Sequence, residues 1–294
     1  MNAIETQPSG SSPASRPQFT AALLLTQRAA VSFAQFRSEL KLIAPDAGLG
    51  DWSGPVTDPA ADPGVEMLNL NGERLSVLVV GGPAPASMLQ AGPFPNPLWP
   101  NAEKEAAEHR AYILVVAPED PPDREAAVAK ARAVTLLAAA LARIVPATGV
   151  TWIDSVNLVK AAAFVGITEK LGQPEANAVP FWVRLMVTKS APASAGGPTL
   201  TAGTLGLRIF GLRELEYAPA ALDPGFILQH AYSVSEYLLR SGKRLGDGES
   251  IGVDGQAGFA IAHAEKAILV RFQLPASTFS PRHNETGVRH GLQF

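Results

Sequence analysis

Between Leu98 and Val116 the chain reads LWPNAEKEAAEHRAYILVV, which crowds Glu103, Glu105, Glu108 and His109 together. Glu105 and His109 stand four apart, a spacing that brings two side chains onto one helical face. A carboxylate–imidazole pair can do acid–base work, and with further ligands it can hold a metal ion. A metal site needs three or four converging ligands, and neither HExxH nor its inverted form is present. The same residues also suit a short amphipathic helix. Glu103, Lys104, Glu108 and Arg110 would face water, with acidic groups at the positive helix start. Ala102, Ala106 and Ala107 would form a small face for packing on a sheet. The structural reading is preferred, so no catalytic, cofactor-binding or metal-ligating residue is assigned.

Other stretches invite chemistry and fail on detail. In LVVGGPAPAS the glycines follow a strand-like run, but Pro83 and Pro85 remove two of the backbone donors a phosphate loop needs. RSGKRLGDG lacks the glycine spacing and the Ser/Thr of a Walker loop, and Gly242 reads instead as a helix C-cap. No GxSxG elbow occurs. His230 falls mid-helix and His263 in a strand, where a structural role is expected, and His283 and His290 fall in the C-terminal stretch. Around GLRIFGLRELEY, the residues Arg208, Arg213, Glu214 and Glu216 are the candidates that an enzyme reading would use.

Composition narrows the classes further. Formal net charge is −3 and the basic residues are scattered, so a nucleic-acid-binding surface is not expected. There is no cysteine, which excludes disulfides and thiolate chemistry and fits a reducing, cytoplasmic location. The N-terminal MNAIETQPSGSSPASRPQ has no apolar core of a secretory signal and reads as a disordered tail. The longest apolar run, Ala133–Ala142, is too short to span a bilayer, so no membrane partner is expected. A hydrophobic fraction of 47% over 294 residues demands a large packed core.

These pieces need a scaffold, and the order of elements suggests one. FTAALLLTQ is strand-like. VSFAQFRSELKLIAP is helical, with Ser32 and Gln35 in capping-box spacing and Pro45 as the stop. VEMLNL and ERLSVLVV flank Asn71-Gly72, a strong hairpin signal. With the opening segment they give β-α-β-β-α-β, the split βαβ pattern. After the long Ala-rich helix ending before Pro146 the order recurs through GVTWID, a helix, two paired strands and the Asp223-capped helix. The expected fold is therefore α+β: two ferredoxin-like βαββαβ lobes, a structural duplication joined by that helix. The expected boundaries are a tail over 1–18, a first lobe over 19–120 and a linking helix over 121–147. A second lobe over 148–275 carries extra C-terminal strands, and a flexible tail fills 276–294.

ALLLTQ, LWPNAEKEAAEHRAYILVV, GVTWIDS, TLGLRIFGLRELEY and LDPGFILQHAYSVSEYLL resemble the uncharacterised bacterial family DUF4261. The resemblance runs over most of the chain between the two tails. It brings a fold expectation and no activity, cofactor or site residue with it.

With a large core and no cofactor loop, metal set or triad, the leading expectation is a protein-binding module, in an immunity or adaptor role. An enzyme with an inter-lobe site and a structural subunit of a homo-oligomer are the rivals. Aromatic anchors are enriched at interfaces, so Trp99, Phe94 and Trp152 are the candidate contact residues, with Trp99 expected to be partly exposed in its proline-rich loop. Trp182, inside VPFWVRLMV, is expected in the core.

Overall fold

A computed structural model describes residues 19–53, 64–89, 99–171, 173, 176–190, 199–243, 245–246, 250–253, 257–263 and 267–273. The two expected tails, Phe94, His283 and His290 lie outside the described residues.

The chain opens with β1 (Phe19–Leu25), α1 (Phe33–Ile43), β2 (Leu49–Ser53), β3 (Gly64–Leu70) and β4 (Glu73–Val80). Ser32 caps α1 by accepting from the Gln35 amide, and Phe36, Leu40 and Ile43 form its buried stripe. Asn71 and Gly72 both take positive φ, 53° and 85°, as the two-residue hairpin turn between β3 and β4 requires. Next come α2 (Ala102–Ala106), β5 (Ala111–Ala117), α3 (Arg124–Ile144), β6 (Ala147–Trp152) and β7 (Asn157–Lys160). Together β1 to β7 build one sheet in the order β2-β3-β4-β5-β1-β6-β7, antiparallel at every pairing.

The short helices α4 (Ala161–Thr168) and α5 (Val179–Trp182) lead to β8 (Arg184–Ser190), β9 (Thr199–Leu205) and β10 (Glu214–Ala220). Then α6 (Pro224–Ser241) crosses to β11 (Ser250–Val253), β12 (Ala257–His263) and β13 (Ala267–Gln273). Asp223 caps α6 through the Phe226 amide, Pro224 opens it, and Gly242 ends it at φ 64°. This second sheet runs β11-β12-β13-β10-β9-β8, and its β10–β13 pair is parallel. It is thus two three-stranded meanders joined through α6.

The α+β class holds, but the ferredoxin-like arrangement does not form. A split βαβ unit needs parallel strands joined by a crossover helix. Here α2 is an excursion within the antiparallel β4–β5 pair, and β1 is antiparallel to both its neighbours. The strand at 147–152, expected to open the second lobe, adds to β1, so the boundary at 148 falls inside the first sheet. Nor does α3 serve as a tether. It lies on the first sheet beside α1, burying Ala131, Val134, Leu137, Ala138 and Leu141. Much of the element order and the local β3–β4 and β8–β9 pairs are as expected, but β2 and β7 and the long-range strand pairing are not.

β1 is central and buried on both faces, which explains its unbroken apolar run. One face packs into a continuous core reaching α3, α6 and the second sheet. Between the sheets stands an aromatic block: Phe19 edge-on to Trp152 and Phe210, Phe181 against Trp152, and Trp182 against Phe210. On the opposite face of the first sheet, Leu24 and Leu158 meet Trp99, Ala102 and Ala106 in a small separate cluster. No described helix is long and apolar enough to cross a membrane.

Candidate functional site

The Glu/His cluster resolves into a structural latch. Helix α2 ends at Ala106, so His109 lies beyond the turn that would have aligned it with Glu105. His109 is buried, accepts the Ala84 N–H at Nε2 over 2.6 Å, and donates Nδ1–H to the Ala106 carbonyl over 2.5 Å. Those two bonds assign the neutral tautomer and tie the segment after β4 to the end of α2. Glu105 accepts the Trp99 indole N–H over 2.8 Å and pairs with Lys160 over 3.1 Å, and these partners hold its carboxyl below the usual carboxylate range. Among the described residues no group of three His, Cys, Asp or Glu is placed to hold a metal ion.

Trp99 is not exposed. Only 2% of it reaches solvent, and its ring lies over Gly149 of β6, where a β-carbon would come within 2.5 Å of ring carbon Cζ3. Lys160 sits 5.8 Å above the same ring. Trp152 is wholly buried in the aromatic block, and Trp182 is wholly buried as expected. Neither Trp99 nor Trp152 offers contact area in this conformation, because the glycine-floored groove and the inter-sheet core consume their apolar surface.

Of the enzyme set, Glu214 is buried and occupied. Its Oε1 accepts the backbone N–H groups of Gly206 (2.9 Å) and Arg208 (3.2 Å), and its Oε2 accepts from the Thr204 hydroxyl (2.8 Å). Thr204 Oγ1 in turn accepts the Leu215 amide. This clasp fixes the tight turn Leu207–Phe210, whose lead residue Gly206 takes φ 128° and packs on the Trp182 carbonyl with no room for a β-carbon. Arg208, Arg213 and Glu216 are exposed; Arg213 and Glu216 line two separate concavities described below. A second buried polar pair, Tyr217 Oη and His230 Nδ1 at 2.8 Å, joins β10 to α6. Burial pushes the Tyr217 phenol up and His230 down to about 4, so both are neutral core groups. His230 thus fills the structural role its mid-helix position suggests.

Two concave surface features remain. The first is the face turned away from α6. Leu215 and Tyr217 point to the core, so by alternation Glu216 and Ala218 point outward. Met186, Gly203, Glu216 and Leu269 stand in one row across β8, β9, β10 and β13. They line a groove of about 580 Å³ with Thr188 and Thr201, whose hydroxyls meet at 2.6 Å. At the groove's border β8 is an edge strand: seven residues in unbroken register with β9, with no described strand on its other side.

The second is a cavity of about 620 Å³ where α3 begins, α6 ends and the turn before β10 passes. Arg124, Arg213 and Lys243 line it, and Phe210, Leu238, Leu245 and Ile268 form its apolar wall. No sequence motif announced it, because its cations come from three distant parts of the chain.

Residues 203–271 match the family described as Domain of unknown function (DUF4261). The match takes in the Glu214 clasp and every described lining residue of the cavity except Arg124. No curated protein and no solved structure matches the chain. The matched stretch runs from mid-β9 to late β13.

Proposed function

We propose that this protein is a binding module, and that it takes up an extended segment of a partner protein along the edge of β8 that no described strand covers. The carrying observation is the edge itself. An unpaired strand edge presents N–H and C=O groups that demand partners. Natural edges are commonly blunted by proline, bulges or clustered lysines. β8 has an unbroken register, no proline, and a single lysine, Lys189. Strand addition draws affinity from main-chain hydrogen bonds and specificity from pockets for alternate side chains. The groove beside Met186 and Thr188 supplies such a pocket. An adaptor or immunity role is the form this binding would take.

The enzyme reading has less support. Glu214 is committed to the turn, Tyr217 and His230 are enclosed, and Glu105 and His109 serve the latch.

A photo-crosslinking side chain placed at Thr188, with Gln229 on the exposed side of α6 as control, tests the proposal. The expected result is a single protein adduct from position 188 alone, reproduced with the purified partner and lost when Met186→Arg is added to the crosslinking variant. Equal labelling from both positions, or none from 188, overturns it. An adduct of the chain with itself, matched by a dimer in light scattering, replaces it with edge-paired homo-oligomerisation.

A further inference from the structure

We infer that His109 is a proton-operated latch: when its imidazole takes up a second proton, the segment from Gly81 to Leu89 is released from the end of α2. The ring is paired with two backbone groups whose roles are fixed, since a backbone N–H only donates and a backbone carbonyl only accepts. Nε2 must therefore be bare to accept the Ala84 N–H over 2.6 Å. Nδ1 must carry the hydrogen that it gives the Ala106 carbonyl over 2.5 Å. The imidazolium has an N–H at both positions. Its Nδ1–H keeps the Ala106 bond, but its Nε2–H meets the Ala84 N–H, donor against donor. The pair must part.

The charges around the ring leave this conflict in place. His109 is buried, and among the described residues its hydrogen bonds are the two to Ala84 and Ala106. On α2, Glu105 is engaged by Trp99 and by Lys160 of β7, while Glu103 acts on Arg184 of β8. Lys104, Glu108 and Arg110 are exposed, and Tyr112 of β5 is half-buried. From Gly81 to Trp99 the chain carries no ionisable side chain, and neither β1 nor β6 has one.

The other side of the latch has no substitute bond. Ala84 stands between Pro83 and Pro85, neither of which has an N–H, so no adjacent amide can take its place. The turn that follows closes its bonds within the segment, from the Met88 amide to Pro85 and from the Leu89 amide to Ala86. Ala84 belongs to the small cluster with Trp99, Ala102 and Ala106, and Met88 and Leu89 pack at its border. Release therefore uncovers one side of the apolar cluster that sits on Leu24 and Leu158. The closed form requires the neutral ring, so the latch is shut at alkaline pH and opens as pH falls through the range in which histidine charges. It shares no residue with the β8 edge, and either proposal stands if the other fails.

The chain has no cysteine, so one introduced thiol can report the opening. Met88→Cys places it at the half-buried border of the cluster and Ser87→Cys on the exposed side of the same turn. The ratio of their rates with dithiodipyridine cancels the titration of the thiol itself. Between about pH 8 and about pH 5 this ratio should rise about tenfold, and it should stay level in a His109→Gln background, which cannot charge. Val134→Cys, in the core of α3, should stay unreactive throughout. Nitrogen NMR of the imidazoles in the parent should show His109 with one N–H, at Nδ1, at the alkaline end and with two at the acid end. The proposal is overturned if the ratio does not rise, or if it rises equally in the His109→Gln background. A rise at residue 134 as well would mean that acid unfolds the chain, and also overturns it. Should His109→Gln fail to fold, the parent decides: a thiol ratio that rises while His109 keeps a single N–H overturns the latch.

Discussion

Trp182 donates its indole N–H to the Thr135 hydroxyl across 2.8 Å, and neither side chain reaches solvent. Thr135 donates its own hydroxyl hydrogen bond to the Ala131 carbonyl over 2.6 Å, inside α3. A helix of the first sheet is thereby hydrogen-bonded to the residue that leads into the second. Thr135→Val keeps the shape but strands the indole N–H, which should cost about 1–3 kcal/mol. Urea unfolding of Thr135→Val, Trp182→Phe and the double variant checks this. The double variant should lose less than the sum of the singles, because the second change removes a partner already lost.

Glu214 should behave as a structural carboxylate. In Glu214→Gln one oxygen can still accept from Gly206 and Arg208, but the new amide donor faces Thr204, which already accepts the Leu215 amide. The charge-assisted bonds weaken and the Thr204 proton loses its acceptor, at a cost of about 1–3 kcal/mol. A lowered urea midpoint with an unchanged slope would show lost stability without loss of the fold. A change of slope would instead mean that the turn and its strands had come apart.

Local signals were readable in the chain, and long-range pairing was not. Ser32, Asp223, Gly242 and the Asn71-Gly72 turn all sit where their side chains or φ angles demand. Each of those signals acts over a few residues. That β6 should join β1 depends instead on Trp152 packing against Phe19 and Phe181, contacts between segments far apart in sequence. Nothing in the spacing of GVTWID encodes which sheet it enters. Trp99 misled for a related reason: its proline neighbours suggest an exposed loop, whereas the space that buries it is made by Gly149, fifty residues on. The same holds at the cavity. Gly242 was legible as a C-cap, but Arg124 and Arg213 reach it only through the tertiary fold.

Acid should weaken the protein through His230. Its pKa falls from 6.5 unfolded to about 4 folded because burial disfavours the imidazolium. Between those values the unfolded chain binds the extra proton, so stability is full above pH 6.5 and declines as pH falls towards 4. The loss approaches about 3 kcal/mol. Glu66 works the other way. Burial raises its pKa, so it adds stability below its ordinary value that is lost as pH rises. His230→Gln retains Glu66 and removes the imidazole. Its unfolding free energy, followed by urea titration from pH 7 to 4, should therefore fall less steeply than the parent's. Parallel curves would show that His230 does not titrate on unfolding in this range.

Gly149 governs the Trp99 latch. A methyl at residue 149 would overlap ring carbons Cζ3 and Cη2, so Gly149→Ala must expel the indole or push β6 away from β1. Expulsion also breaks the Trp99–Glu105 hydrogen bond and lifts the ring from beneath Lys160. Overpacking of this kind costs about 1–3 kcal/mol. The spectroscopic result separates the two responses: an expelled indole shifts tryptophan emission to the red and becomes open to acrylamide, while Trp152 and Trp182 stay shielded in the core. Trp99→Phe, which shortens the ring but keeps it apolar, should relieve the clash and restore much of the lost stability in the Gly149→Ala background. If Gly149→Ala leaves both emission and quenching unchanged, the ring does not occupy the glycine-floored groove, and α2 must be held by the His109 bonds alone.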